Sequence, residues 1–173
     1  IPQREGEGYG LHIETVDQLA EDGAQLIITV DNGIAAVDET AHAKNRGIDI
    51  VITDHHRPQE RLPDAVAVVD PHRDDCESGF KDYAGVGVAL KLVCALDGDT
   101  DAALEKYADL AAIGTLADVM PLHGENRALV RYGLRKINES PRPGLLALMR
   151  ASGFSGKTMT ATSAVFTIAP RIN

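Results

Sequence analysis

Three short apolar runs, each ended by an aspartate, constrain this chain more than any other feature. They are 26–30 (LIITV) closed by Asp31, 48–53 (IDIVIT) closed by Asp54, and 65–69 (AVAVV) closed by Asp70. Runs this short and this rich in β-branched residues belong to strands buried in a parallel sheet. A helical pattern carried by Val16, Leu19 and Ala20 precedes the first run, and another over 34–45, closed by Arg46-Gly47, separates the first from the second. Strand, helix, strand at this spacing makes a βαβ unit, whose crossover is right-handed. The expected fold class is α/β: a parallel sheet with flanking helices, covered on both faces.

After Pro71 the pattern changes to helices at 84–96, 102–117, 126–137 and 144–151. Thr100 or Asp101 can cap the second of these, and Pro141-Arg142-Pro143 breaks the chain before the last. The stretch 158–163 (TMTATS) reads as a loop or a cap before a further helix. No linker forces a second domain, and 173 residues suit about one. With 44% apolar and 25% charged residues the composition is that of an ordinary globular protein. No apolar run approaches the ~20 residues of a membrane span. The opening IPQREGEGYG has neither an apolar core nor a small-residue cleavage site, so no signal peptide is expected. Cys76 and Cys94 form no CxxC pair, which suits reduced thiols in the cytoplasm and argues against a disulfide framework.

The polar residues fall where the strands end. In an open parallel sheet, ligands bind in the crevice outside the carboxyl ends of the strands, so three acidic turns converge on one edge. Each has an ordinary alternative: Asp31-Asn32-Gly33 as a turn with Asp31 or Asn32 capping the next helix, Asp54 as a cap, and Asp70-Pro71 as a turn dipeptide. Together, however, carboxylates beside His55 and His56 crowd negative charge, and a divalent ion removes the repulsion. Carboxylates and imidazoles without thiolates favour Mn²⁺, Mg²⁺ or Fe²⁺ over structural zinc. Two such ions ~3.5–4 Å apart activate water and clamp a phosphoryl group in line. Adjacent side chains in Asp54-His55-His56 point different ways, so one histidine can hold metal while the other faces substrate and Asp54 orients them.

Two further places carry alternatives. In LAAIGTLADVMPL, Asp118 ends a helical run before Pro121, either as a helix-terminal hydrogen bonder or, if buried, as a partner for an ion. Gly85 and Gly87 open a helix, where the small residues either present backbone N–H groups to phosphate or allow close packing.

The blocks TVDNG, VITDHH, GVGVALKL, AAIGTLADVMPL, GENRALVRYGL and the closing APRIN together resemble the DHH phosphoesterase family, in order and along nearly the whole chain. Within it the chain is most similar to exonucleases specific for single-stranded DNA. The resemblance implies a Rossmann-like DHH domain and a pair of Mn²⁺ or Mg²⁺ ions. It makes Asp31 the bridging ligand, His55 and Asp118 ligands of one ion, His56 the residue facing the scissile phosphate, and Asp54 their support. Arg4 and Tyr9 match positions lining the path of the single strand, where Tyr9 would stack on a base; the alternatives are a solvated charge and an anchoring aromatic. Arg171 and Asn173 belong to the APRIN block and match substrate-side positions.

The resemblance also implies parts not seen here: a first Asp-x-Asp motif upstream of Ile1, a C-terminal associated domain and an OB-fold. Glu5 and Glu7 follow no strand and do not replace the first motif. The net charge of −9 lacks the basic footprint of a nucleic-acid binder. Bound cations, or basic modules outside the chain, would reconcile it. The implied activity is metal-dependent 5′ to 3′ hydrolysis of single-stranded DNA in repair and recombination, with a single-strand-binding protein and a helicase as partners and no membrane. The chain alone is expected to be inactive or nearly so. Two other functions stay open: a DHH phosphoesterase acting on short oligonucleotides, cyclic dinucleotides or pyrophosphate, and a catalytically dead scaffold.

Overall fold

The structure, a computed structural model, describes residues 9–172. The chain divides into two compact units, Ile1–Lys81 and Asp82–Asn173. The change of character expected after Pro71 thus falls between Lys81 and Asp82.

The first unit is built on strands β1 (Leu26–Val30), β2 (Asp49–Thr53) and β3 (Ala67–Val69). They are parallel in the order β1-β2-β3, with Val30 opposite Thr53 and Thr53 opposite Val69. Helix α1 (Ile13–Glu21) precedes β1, and α2 (Val37–Asn45) crosses from β1 to β2. Val16 of α1, Ala43 of α2 and Ile48, Ile50 and Ile52 around β2 form the buried core, with Ile27 and Val68 packed against it. Among the described residues of this unit, helices cover one face of the sheet rather than the expected two. Both helices pack on one face, whereas Leu26, Ile28 and Val30 on the other are about half exposed. The reason is topological, since the β2–β3 connection contributes no helix among the described residues to the second face.

Helix α2 begins three residues later than its apolar pattern suggests. Neither Asp31 nor Asn32 caps it; the side chain of Asp54, twenty residues away, accepts from the Ile34 N–H at 2.9 Å and holds 34–36 as a turn.

The second unit contains α3 (Gly85–Asp97), α4 (Thr100–Ala117), α5 (Gly124–Glu139), α6 (Pro143–Ala151) and the short α7 (Ala161–Ser163). The cap of α4 is Asp99, whose carboxylate accepts from Ala102 N–H, rather than Thr100 or Asp101. Gly133 lets α5 approach α4 closely: a Cβ there would stand 2.3 Å from the Ala108 carbonyl oxygen. Arg142, just before α6, ties that segment to α4, its guanidinium donating two hydrogen bonds of 2.6 Å to the buried Asp109 carboxylate. Thr160 and Ser163 form a capping box, so the expected loop-then-helix at 158–163 is found. The helix then continues through a wider turn at Ala164–Ile168 into a 3₁₀ turn at Ala169–Arg171.

Candidate metal centre

Register places the three strand-end aspartates in one row. Asp31 N–H donates to the Thr53 carbonyl and Asp54 N–H to the Val69 carbonyl, both at 3.0 Å, extending the two ladders by one residue. Asp31, Asp54 and Asp70 therefore stand on neighbouring strands at the carboxyl edge, with strands ~4.8 Å apart. Their environments differ. The Asp31 side chain is 56% exposed, whereas those of Asp54 and Asp70 are buried.

Asp54 is the most fully engaged of the three. One carboxylate oxygen takes the Ile34 N–H; the other takes the backbone N–H groups of His55 (2.7 Å) and His56 (3.2 Å) and lies 2.7 Å from His56 Nδ1. Burial is the largest influence on this carboxyl and opposes its ionisation, but the hydrogen bonds outweigh it and hold its pKa below the ordinary 3.8. An ionised carboxylate only accepts, so Nδ1 of His56 carries the proton and Nε2 is left facing outward from a ring 61% exposed. Asp54 thus ties the turn after β1 to the turn after β2.

His55 is buried, with Nε2 2.9 Å from Asp31 Oδ1. The two imidazole rings lie 4.4 Å apart, tilted by 53°. One ligand-type atom from each of Asp31, Asp54, His55 and His56 falls within 4.8 Å of the others. Oxygen and imidazole nitrogen donors without sulfur, crowded to this degree, fit Mn²⁺ or Mg²⁺.

Asp70 is a different case. Its Oδ1 accepts from the His72 N–H at 2.7 Å, while Oδ2 is buried without a partner among the described residues. Burial pushes this carboxyl above its ordinary pKa; the His72 N–H partly offsets that and the neighbouring Asp54 charge adds to it.

A crevice of about 730 Å³ opens beside the cluster, lined by Tyr9, His12, Asp31, Asn32, Gly33 and His56 among others. Tyr9 is 83% exposed there. His12 was not singled out by sequence; it precedes α1 at a helix-capping position, yet its side chain makes no capping bond. Nothing in its local pattern marks it as lining a site.

Most of the remaining sequence candidates are residues of the second unit. Asp118 belongs to the second unit, where it ends α4 exposed rather than buried. Gly85 and Gly87 are buried in α3, and a Cβ at Gly87 would stand 3.1 Å from the Tyr83 ring, a tight fit that gives this glycine a packing role. Arg171 is exposed and donates to the Thr167 carbonyl at 2.6 Å. Arg4 and Asn173 lie outside the described residues. Cys76 and Cys94 are free thiols. Among the described residues, no helix is long and apolar enough to cross a membrane.

A parallel α/β unit with carboxylates and imidazoles gathered at the carboxyl edge of its sheet defines a class of protein: one with a donor set suited to divalent cations beside an open crevice. The DHH family, N-terminal domain, matches residues 1–115. The chain belongs to the DHH family.

Its relatives are named consistently. It is 46% identical over 173 residues to the single-stranded-DNA-specific exonuclease RecJ of Bacillus subtilis (strain 168), covering all of this chain and 22% of that protein. To the protein of the same name from Thermus thermophilus it is 42% identical over 175 residues, covering 25% of that protein. Among solved structures it resembles exonuclease RecJ bound to manganese, with a TM-score of 0.84 and 41% identity over the whole chain and 43% of that protein. It also resembles RecJ from Thermus thermophilus in complex with Mn²⁺, with a TM-score of 0.76 and 40% identity over 93% of this chain and 24% of that one. The chain therefore spans about a quarter of the length of these curated relatives.

Proposed function

We propose that this chain is the metal-holding part of a longer hydrolase that removes nucleotides from single-stranded DNA in the 5′ to 3′ direction during repair and recombination. The observation that carries the proposal is the cluster of Asp31, Asp54, His55 and His56 at the carboxyl edge of the parallel sheet. Relatives at 40% identity and above that bear the exonuclease name support the substrate.

Asp31 and His55 are the proposed ligands, with Asp118 added by the motif resemblance. Asp54, both oxygens already engaged, orients the two histidines. His56 presents Nε2 toward the scissile phosphate, anchored behind by Asp54. Mn²⁺ or Mg²⁺ bound there supplies an activated water and charge stabilisation for phosphoryl displacement. Tyr9 on the crevice wall offers a stacking platform for a base, a contact worth ~1–3 kcal/mol where such platforms occur. Arg4, Arg171, Asn173 and the Gly85–Gly87 backbone are the remaining proposed substrate contacts.

The single strand, a single-strand-binding protein and a helicase are the proposed partners, and the cytoplasm the proposed compartment. The experiment is cleavage of 5′-labelled single strands, duplexes and pyrophosphate by the longer protein with added Mn²⁺. Metal-dependent loss of label from single strands only, abolished by Asp31→Ala, is the expected result. Equal activity of Asp31→Ala and wild type, or preference for pyrophosphate, would refute it. The chain alone is expected to cleave little or nothing.

A further inference from the structure

We infer that Thr29 and Thr53 are positioning residues of this centre, a two-hydroxyl relay that holds Asp31 in a left-handed backbone conformation and so presets its carboxylate. The inference rests on the reading of Asp31 as a metal ligand and gives a role to two residues of the TVDNG and VITDHH blocks that lie outside the cluster of candidate ligands.

Asp31 has φ 65°, one of two non-glycine residues in the left-handed region among those described. That conformation is disfavoured for an L-residue, least so for Asp and Asn, and persists where surrounding structure fixes it. The fixing contacts bracket Asp31 on both sides. Thr53 Oγ1 donates to the Thr29 carbonyl at 2.7 Å, and Thr29 Oγ1 donates to the Asn32 carbonyl at 2.7 Å. The Asp31 N–H is held by the Thr53 carbonyl, and Asn32 Nδ2 closes the turn on the Val30 carbonyl at 3.1 Å. Gly33, at φ 108°, is left no room beside this relay: a Cβ would stand 2.7 Å from Thr29 Oγ1.

The chemistry of the two positions supports a dedicated role. Thr29 and Thr53 are 6% and 0% exposed; Thr29 shares the helix-covered face with Ile27, Ile50 and Ile52, and Thr53 is buried on the opposite face at the end of β2. At such positions valine has the same shape and equal or better strand preference, and a buried hydroxyl is unfavourable unless bonded. What the hydroxyls add is the pair of bonds that fixes the turn carrying Asp31.

The test compares Thr29→Val, Thr53→Val and Thr29→Ser with wild type, Asp31→Ala and the core control Ile50→Val. Readouts are Mn²⁺ affinity by calorimetry on the longer protein, the urea midpoint, and the Asp31 Cα and Cβ chemical shifts in this chain. The expectation is that wild type shows a left-handed shift signature at Asp31 without metal. Either valine variant should lose that signature and bind Mn²⁺ about tenfold or more weakly, in the range seen when groups supporting metal ligands are removed. Thr29→Ser should restore both, and Ile50→Val should change neither. Retention of the signature and of wild-type Mn²⁺ affinity in both valine variants would overturn the relay, as would failure of Thr29→Ser to rescue. Equal Mn²⁺ binding by wild type and Asp31→Ala would instead refute the site assignment, while loss of the signature in the valine variants would still establish the relay.

Discussion

Replacing Asp54 by Asn separates a strut from a ligand. The amide is isosteric but has one acceptor oxygen, and the carboxylate it replaces accepts on both: Ile34 N–H at 2.9 Å on one side, His55 and His56 N–H groups and His56 Nδ1 on the other. Whichever way the amide turns, its NH₂ faces a backbone N–H in a site 1% exposed. One charge-assisted acceptor is lost, ~1.5–3 kcal/mol, and a buried donor is left facing another, ~1–3 kcal/mol. The sum is roughly 2.5–6 kcal/mol, a large part of the ~5–15 kcal/mol that holds a domain folded. In urea, with a slope of ~2 kcal/mol per molar, the midpoint should fall by about 2 M. Asp31→Asn is the matched control, because Asp31 is exposed and Asn tolerates its left-handed backbone. Its effect should stay within ~0.5 kcal/mol. The acid dependence adds a second check. The Asp54 carboxyl is held below 3.8, so its contribution is complete above that pH and is lost as pH falls through the lower folded-state value. The gap between wild type and Asp54→Asn should therefore be constant at neutral pH and narrow below about pH 4. Equal midpoints for the two Asn variants, or a gap independent of pH down to full acid unfolding, would refute the strut.

Other substitutions probe the same edge. Gly33→Ala forces φ 108° on a residue with a Cβ and drives that Cβ to 2.7 Å from Thr29 Oγ1 and 3.2 Å from Ile52 Cγ2. Strain and repacking together should cost about 2–5 kcal/mol, read as a urea midpoint, with Gly33→Ser no better. Asp70→Asn should do the opposite of Asp54→Asn. Its carboxyl is raised by burial, so the stability it permits is complete below its ordinary pKa and lost as pH rises through the folded-state value. The metal-free Asn variant should melt higher than wild type at pH 7 and no higher at pH 3 by calorimetry. Arg142→Lys keeps the charge but breaks the paired hydrogen bonds to buried Asp109, and should destabilise the chain by ~1–3 kcal/mol in thermal unfolding.

The parts of the molecule written in local pattern were legible in the sequence. The three β-branched runs became three parallel strands, and DNG and DHH after them marked the edge where the cluster stands. What local pattern cannot carry is contact between distant residues. The cap on Ile34 comes from Asp54, twenty positions on, so a search for a neighbouring capping residue named Asp31 and Asn32 instead. The open face of the sheet was missed for a related reason: Leu26, Ile28 and Val30 are apolar, and apolar residues on a strand look the same whether or not a helix covers them. His12 shows a third limit, since an imidazole before a helix carries no mark of the crevice it lines.

The row of aspartates shows how one residue type at equivalent positions takes three physical states. Asp31 keeps its carboxylate exposed and near His55, and it sits in a backbone conformation held by its neighbours. Asp54 surrenders both oxygens to N–H groups, and its charge stays ionised inside the protein because those donors replace water. Asp70 keeps one oxygen without a partner among the described residues and becomes hard to ionise. If all three were solvated alike, mutual repulsion would spread the turns and no fixed cation position would exist. Burial of two of them, one satisfied and one not, leaves Asp31 as the carboxylate of the row free to meet a cation. The backbone hydrogen bonds of Asp54 also mean that the turn presenting His55 and His56 cannot move without disturbing the turn presenting Asp31. Loosening either turn should therefore weaken metal binding even where every ligand side chain is intact. Gly33→Ala tests this at a residue with no side chain to bind metal: a loss of Mn²⁺ affinity while the variant remains folded would establish the coupling, and undiminished affinity would show the two turns to be independent.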